Sequence, residues 1–193
     1  MAVKDTTSGW GIPTRIMHWV MAGLILFLLG LGFWISDFET DIARQIKLTF
    51  MHKSFGFTVF IMAVLRVIWR LFNPHTPAMP SEMPQWQQKV ARSTHIALYF
   101  FMFALPLSGW LMASSSPLND EGAYPIRFPN MVFGLFEMPD PFVIGSRELS
   151  ELFHTAHFAF AVALCAILLA HVGAALKHHF IERDNILKRM MLG

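Results

Sequence analysis

His157 and His171 stand fourteen residues apart within one apolar run, residues 153–175. At about 100° per residue, fourteen helical steps return to within roughly 40° of the starting direction while rising about 21 Å. The two imidazoles therefore share one helix face at two depths. A neutral imidazole inside a lipid-spanning helix is costly unless its ring nitrogens are occupied, and a haem iron is a partner that occupies one of them. The competing reading is two histidines hydrogen-bonded to neighbouring helices.

The elements that must carry these rings follow from composition. Hydrophobic residues make up 54% of the 193, and only 15% are charged. With a mean hydropathy of +0.46, the chain lies outside the range of soluble domains. The expectation is an all-α integral membrane protein, a four-helix bundle forming a single domain over residues 1–193. Its spans are expected at about 16–35, 49–71, 95–113 and 153–176, each near the roughly 20 residues a bilayer core requires. Arg15 precedes the first span and no small-residue cleavage site follows it, so that span reads as a retained helix. Residues 72–90 are rich in proline and end in an amphipathic stretch suited to lipid headgroups. Residues 114–150 carry Pro117, Pro125, Pro129, Pro139 and Pro141 among several phenylalanines, and are expected to fold over the mouth of the bundle. Cys165, the single cysteine, lies mid-helix and suits core packing.

Charge sets the orientation. The N-terminal arm, the loop between spans two and three with its flanks, and the C-terminal tail hold ten of the fifteen Lys and Arg. The opposite side keeps Arg44, Lys47, Lys53, Arg127 and Arg147 with nine of the thirteen acids, Glu121 among them. Both termini are thus expected to be cytoplasmic. A net charge of +2 gives no reason to invoke nucleic acid.

Orientation sorts the histidines by depth. His18 and His171 fall near the inner face, and His52 and His157 near the outer. A six-coordinate haem needs two ligands at one depth on facing helices, so depth pairs His18 with His171 and His52 with His157. Two haems would then stack with irons on the order of 20 Å apart. His95, also at the inner face, competes with His18 on depth alone. His154 competes with His157, but its seventeen-residue spacing from His171 turns it about 100° off that face. His75, His178 and His179 read as solvated or phosphate-contacting groups.

Further residues acquire roles around these sites. Arg66 and Arg70 lie four apart, where guanidinium groups could pair with inner haem propionates, against simple positive-inside anchoring. Gly56, four residues after His52, would let a porphyrin lie against bare backbone. Arg44, Lys47 and Lys53 near the outer haem could draw an anionic donor, against simple snorkelling.

The chain resembles the bacterial cytochrome b561 family, four-helix dihaem membrane cytochromes related to the cytochrome b subunits of hydrogenases and formate dehydrogenases. The resemblance rests on RIMHW at 15–19, MHKSFG at 51–56, VLRVIWR at 64–70, STHIALYF at 93–100, ALPLSGWLM at 104–112, and HVGAALKHHF at 171–180 followed by DNILKRM. Residues 114–150 match least well. The resemblance implies two b-type haems with iron ligands His18, His52, His157 and His171, and leaves His95 to a haem edge or quinone site. It also implies a multi-pass protein of the bacterial inner membrane that passes electrons from a periplasmic one-electron donor to the quinone pool. Superoxide is the favoured donor and ubiquinone the acceptor. The alternative is a non-catalytic electron-transfer subunit serving a periplasmic dehydrogenase or small partner protein. A homodimer stays open.

Overall fold

The structure is a computed structural model describing residues 3–81, 83–120, 128–142 and 144–192. Four long helices dominate it: α1 (Ile12–Asp37), α2 (Ile42–Phe72), α3 (Gln85–Ser114) and α4 (Arg147–Lys177). Each is long and apolar enough to cross a membrane. A π-helical turn over His178–Glu182 and the short α5 (Ile186–Met191) follow α4, and a two-stranded hairpin, β1 (Met131–Val132) with β2 (Phe136–Glu137), lies between α3 and α4. Arg127, Glu121 and Pro125, used above for charge and loop, lie outside the described residues.

The helices overrun the expected spans. α2 begins at Ile42 and α3 at Gln85, where the sequence turns polar but the backbone ladder continues. A 31-residue helix is about 46 Å long, against roughly 30 Å of hydrocarbon, so its end turns reach the headgroups. Local caps fix two starts. Asp41 accepts the Arg44 N–H at 3.1 Å ahead of α2, and Ser146 accepts the Leu149 N–H at 3.3 Å ahead of α4. Apolar side chains are exposed along the spans, as at Leu26, Leu65, Ile96 and Leu169, which is the pattern of helices solvated by lipid.

The chain forms two compact units. The terminal unit comprises Met1–Gly23, Met62–Phe100 and Leu164–Gly193; the loop unit comprises Leu24–Ile61 and Phe101–Ala163. Met21, Ala63 and Leu164 are buried in the first, and Val59, Phe101 and Met102 in the second.

Polar bonds knit the terminal unit. Buried Asp5 accepts the Gly11 N–H at 2.7 Å and the Thr14 hydroxyl at 3.0 Å, and Thr14 in turn accepts the Trp69 indole N–H at 2.9 Å. A carboxylate thereby serves the first turn of α1, where unpaired N–H groups and the helix dipole favour negative charge. The C-terminal segment is tied back by Arg15 to the Met191 carbonyl and Trp19 to the Met190 carbonyl, both at 3.1 Å. Arg189 reaches the Ala78 carbonyl at 2.6 Å, and Ala78 N–H pairs with Thr7.

Gly11 is required by this packing. A Cβ there would stand 2.3 Å from the Val3 carbonyl oxygen, and the obstacle is backbone. Gly11→Ala should therefore cost about 1–3 kcal/mol of stability by overpacking. The expected readout is a lowered thermal unfolding midpoint in detergent, while alanine at Gly23, which meets nothing within 4 Å, should leave the midpoint near wild type.

Candidate functional site

Each unit brings histidines of two helices opposite one another. In the terminal unit, His18 of α1 and His171 of α4 have ring centres 6.3 Å apart. In the loop unit, His52 of α2 and His157 of α4 are also separated by 6.3 Å. An imidazole–metal bond is about 2 Å and a ring centre lies roughly 1 Å beyond the nitrogen, so two rings on opposite sides of one metal have centres about 6 Å apart. Both pairs fit that span. His95 of α3 lies closer to His171, at 5.4 Å, and its side chain hydrogen-bonds the Ala91 backbone one turn earlier.

The His157 ring is held by α3. Its Nδ1 lies 3.0 Å from the Leu105 carbonyl oxygen and 3.0 Å from the Ser108 hydroxyl. A carbonyl only accepts, so Nδ1 carries the proton and Nε2 presents its lone pair, the tautomer a metal binds. His52 differs, because its Nδ1 is buried without a partner among the described residues.

Two glycines border these rings. A Cβ on Gly32 would stand 3.2 Å from His52 Cε1, and one on Gly109 would stand 3.1 Å from His157 Cε1. Gly56, the glycine picked out from sequence, borders open space instead. Gly32 was not singled out by sequence reasoning, and Leu105, Ser108 and Gly109 entered it only within the ALPLSGWLM motif, with no role of their own.

The two arginines on α2 have different surroundings. Arg66 donates to the Tyr99 hydroxyl at 3.3 Å, lies 5.7 Å from that ring's centre, and is in electrostatic range of His18, His95 and His171. Arg70 instead donates to the carbonyls of Asn73 at 3.2 Å and His75 at 2.7 Å, where α2 ends.

Arg44, Lys47 and Lys53 are not gathered into one patch. Nine residues of helix place Lys53 about half a turn round α2 from Arg44. Arg44 is exposed and 3.9 Å from Glu39, and Lys47 is exposed. Lys53 is half-buried, donates to Asn130 Oδ1 at 3.0 Å and lies over the Phe50 ring. Buried Asn130 also donates to Asp140 at 2.8 Å and Ser114 at 3.3 Å. Beside it, buried Ser54 accepts the Phe133 N–H at 2.9 Å, with Phe133 in a left-handed turn at φ 48°. Phe50, Met51, Ser54, Met131, Phe133 and Gly134 line an apolar groove of about 380 Å³ there.

The remaining histidines lie elsewhere. His154 is exposed. His178 Nδ1 lies 2.5 Å from Glu182 and 2.6 Å from Asp184, where α4 turns into α5.

Helices long and apolar enough to span a membrane, with histidines in facing pairs, fit a membrane cytochrome of the b type. Residues 9–193 match the family model described as prokaryotic cytochrome b561, and the chain belongs to that family. Cytochrome b561 homolog 2 of Escherichia coli K12 is 30% identical over 99% of this chain and 95% of its own length. Cytochrome b561 homolog 1 of the same organism is 34% identical over 72% of each chain. The probable superoxide oxidase CybB of Yersinia pestis is 27% identical over 91% of each. Membership makes this a membrane electron-transfer protein and implies b-type haem.

Asn130 carries the contact between the loop and α2. Asn130→Leu should remove the hydrogen-bond partner that Lys53 and Asp140 share and cost about 1–3 kcal/mol locally. Limited proteolysis should then cut within residues 128–142 several-fold faster than in wild type.

Proposed function

We propose that the protein binds two b-type haems, one held by His18 and His171 and the other by His52 and His157, and moves electrons one at a time from an outer donor to the quinone pool. The observation that carries this reading is the equal 6.3 Å separation of the two pairs. When bound, b-type haem supplies a reversible one-electron couple. The residues around it supply position and charge. His157 is oriented by Leu105 and Ser108. Arg66, whose described partner is the neutral Tyr99, is free to meet a propionate, while Arg70 mainly closes α2. Gly56 borders space that a porphyrin edge could use. His95, too near His171 for the two rings to lie on opposite sides of one metal, suits a haem edge or quinone contact.

In this reading both termini are cytoplasmic and the membrane is the bacterial inner one. The favoured donor is superoxide, which loses one electron to become O₂, so two superoxide ions and two protons convert one ubiquinone to ubiquinol. The name of the Yersinia relative supports that choice. Arg44 and Lys47, exposed on α2, and Lys53 beneath the loop would raise the local concentration of an anion.

Ligand replacement tests the cofactor assignment. Visible spectra with haem quantification should give two haems per wild-type chain, and one in His171→Ala or in His157→Ala. His154→Ala and His95→Ala should each keep two. Two six-coordinate haems in His171→Ala would overturn the assignment.

The donor is tested separately by stopped-flow haem reduction with superoxide. The rate should fall steeply as salt rises, and Arg44→Gln with Lys47→Gln should slow it without altering the absorption bands. A salt-insensitive rate unchanged in that double variant would favour delivery by a periplasmic protein.

A further inference from the structure

We infer that residues 105–109 of α3 form a positioning element that fixes the His157 ring and sets the electronic character of its metal-binding nitrogen, an inference that rests on the dihaem reading. The Leu105 carbonyl, 3.0 Å from His157 Nδ1, forces the proton onto that nitrogen. Ser108, itself buried, donates its hydroxyl to the same carbonyl at 2.9 Å. Its hydrogen is thereby used, so the oxygen lone pairs that face Nδ1 at 3.0 Å accept from the ring. One N–H is shared between two acceptors.

Backbone geometry completes the cradle. At Gly109 a Cβ would stand 3.1 Å from Cε1 and 3.3 Å from Nδ1, closer than ordinary contact. The ring therefore lies against bare backbone, and any side chain there must push it aside.

This makes the ligands of one site unequal. His52 lies against Gly32 in a similar way, but its buried Nδ1 has no partner among the described residues. A hydrogen bond accepted from the distal ring nitrogen raises the basicity of the ligating one. The more basic imidazole stabilises oxidised iron, so Ser108 should hold the potential of its haem down.

The test uses the full-length purified protein with its haems, in wild-type form and as Ser108→Ala, Ser108→Thr and Gly109→Ala. Spectroelectrochemical titration should show one of two midpoints rising in Ser108→Ala while the other stays. The expected size is up to about tenfold in the ratio of reduced to oxidised haem at fixed potential, or about 59 mV for one electron. Ser108→Thr, which keeps the hydroxyl, should restore the lower midpoint. Gly109→Ala should move the low-field electron paramagnetic resonance line of that same haem. Loss of one haem in Ser108→Ala, restored in Ser108→Thr, would also support the positioning role. Two retained haems with midpoints and resonance lines unchanged in Ser108→Ala would overturn it, as would haem loss that Ser108→Thr does not repair. A wild-type chain without two haems would instead bring down the dihaem reading itself.

Discussion

A histidine ring set in a lipid-spanning helix carries two nitrogens that water cannot reach, and the packing around the paired histidines answers to that constraint. Leaving such an atom unserved costs about 1–3 kcal/mol. His157 meets part of the demand through Leu105 and Ser108, and His95 does so through Ala91. His52 keeps one buried nitrogen without a partner among the described residues. The glycines follow from the same constraint: a ring braced across a helix interface needs the opposing backbone close, and Gly32 and Gly109 provide that approach.

Outside the histidine pairs, each unit is closed by polar groups that bind backbone or loop. The Asp5, Thr14 and Trp69 chain ties the N-terminal arm to α1 and α2. In the loop unit, Lys53 and Ser54 on α2 hold the segment that carries the hairpin. Lys53 and Arg70 therefore have structural work as well as charge, which separates them from Arg44 and Lys47 on the exposed face.

The four spans and the two facing pairs were legible in the sequence because both are periodic signals: long apolar runs, and a fourteen-residue spacing that returns to one face of a helix. The ends were not. Polar turns such as those beginning α2 at Ile42 and α3 at Gln85 look like loop to a hydropathy reading, though the backbone ladder runs through them. The apparent basic cluster shows a second limit, since Arg44 and Lys53 are close in number yet half a helical turn apart. Ser108 and Gly109 fall within the ALPLSGWLM motif but carry no functional signal of their own. Their meaning depends on His157, nearly fifty residues away, arriving against them.

Arg66 shows how burial and partner chemistry bear on readings that sequence leaves equal. Positive-inside anchoring and propionate binding both place a cation near this depth. Anchoring would send the side chain to water or headgroups. Arg70, part-buried like Arg66, gives its donors to the carbonyls where α2 ends. Arg66 instead packs part-buried against Tyr99 and lies within electrostatic range of three histidines. No carboxylate pairs with it among the described residues. A guanidinium held there by a neutral hydroxyl and an aromatic face has lost much of its hydration without gaining a counter-ion, an arrangement that favours a bound anion. Under the proposed ligation by His18 and His171, which lie in the same unit as Arg66, that anion would be a haem propionate.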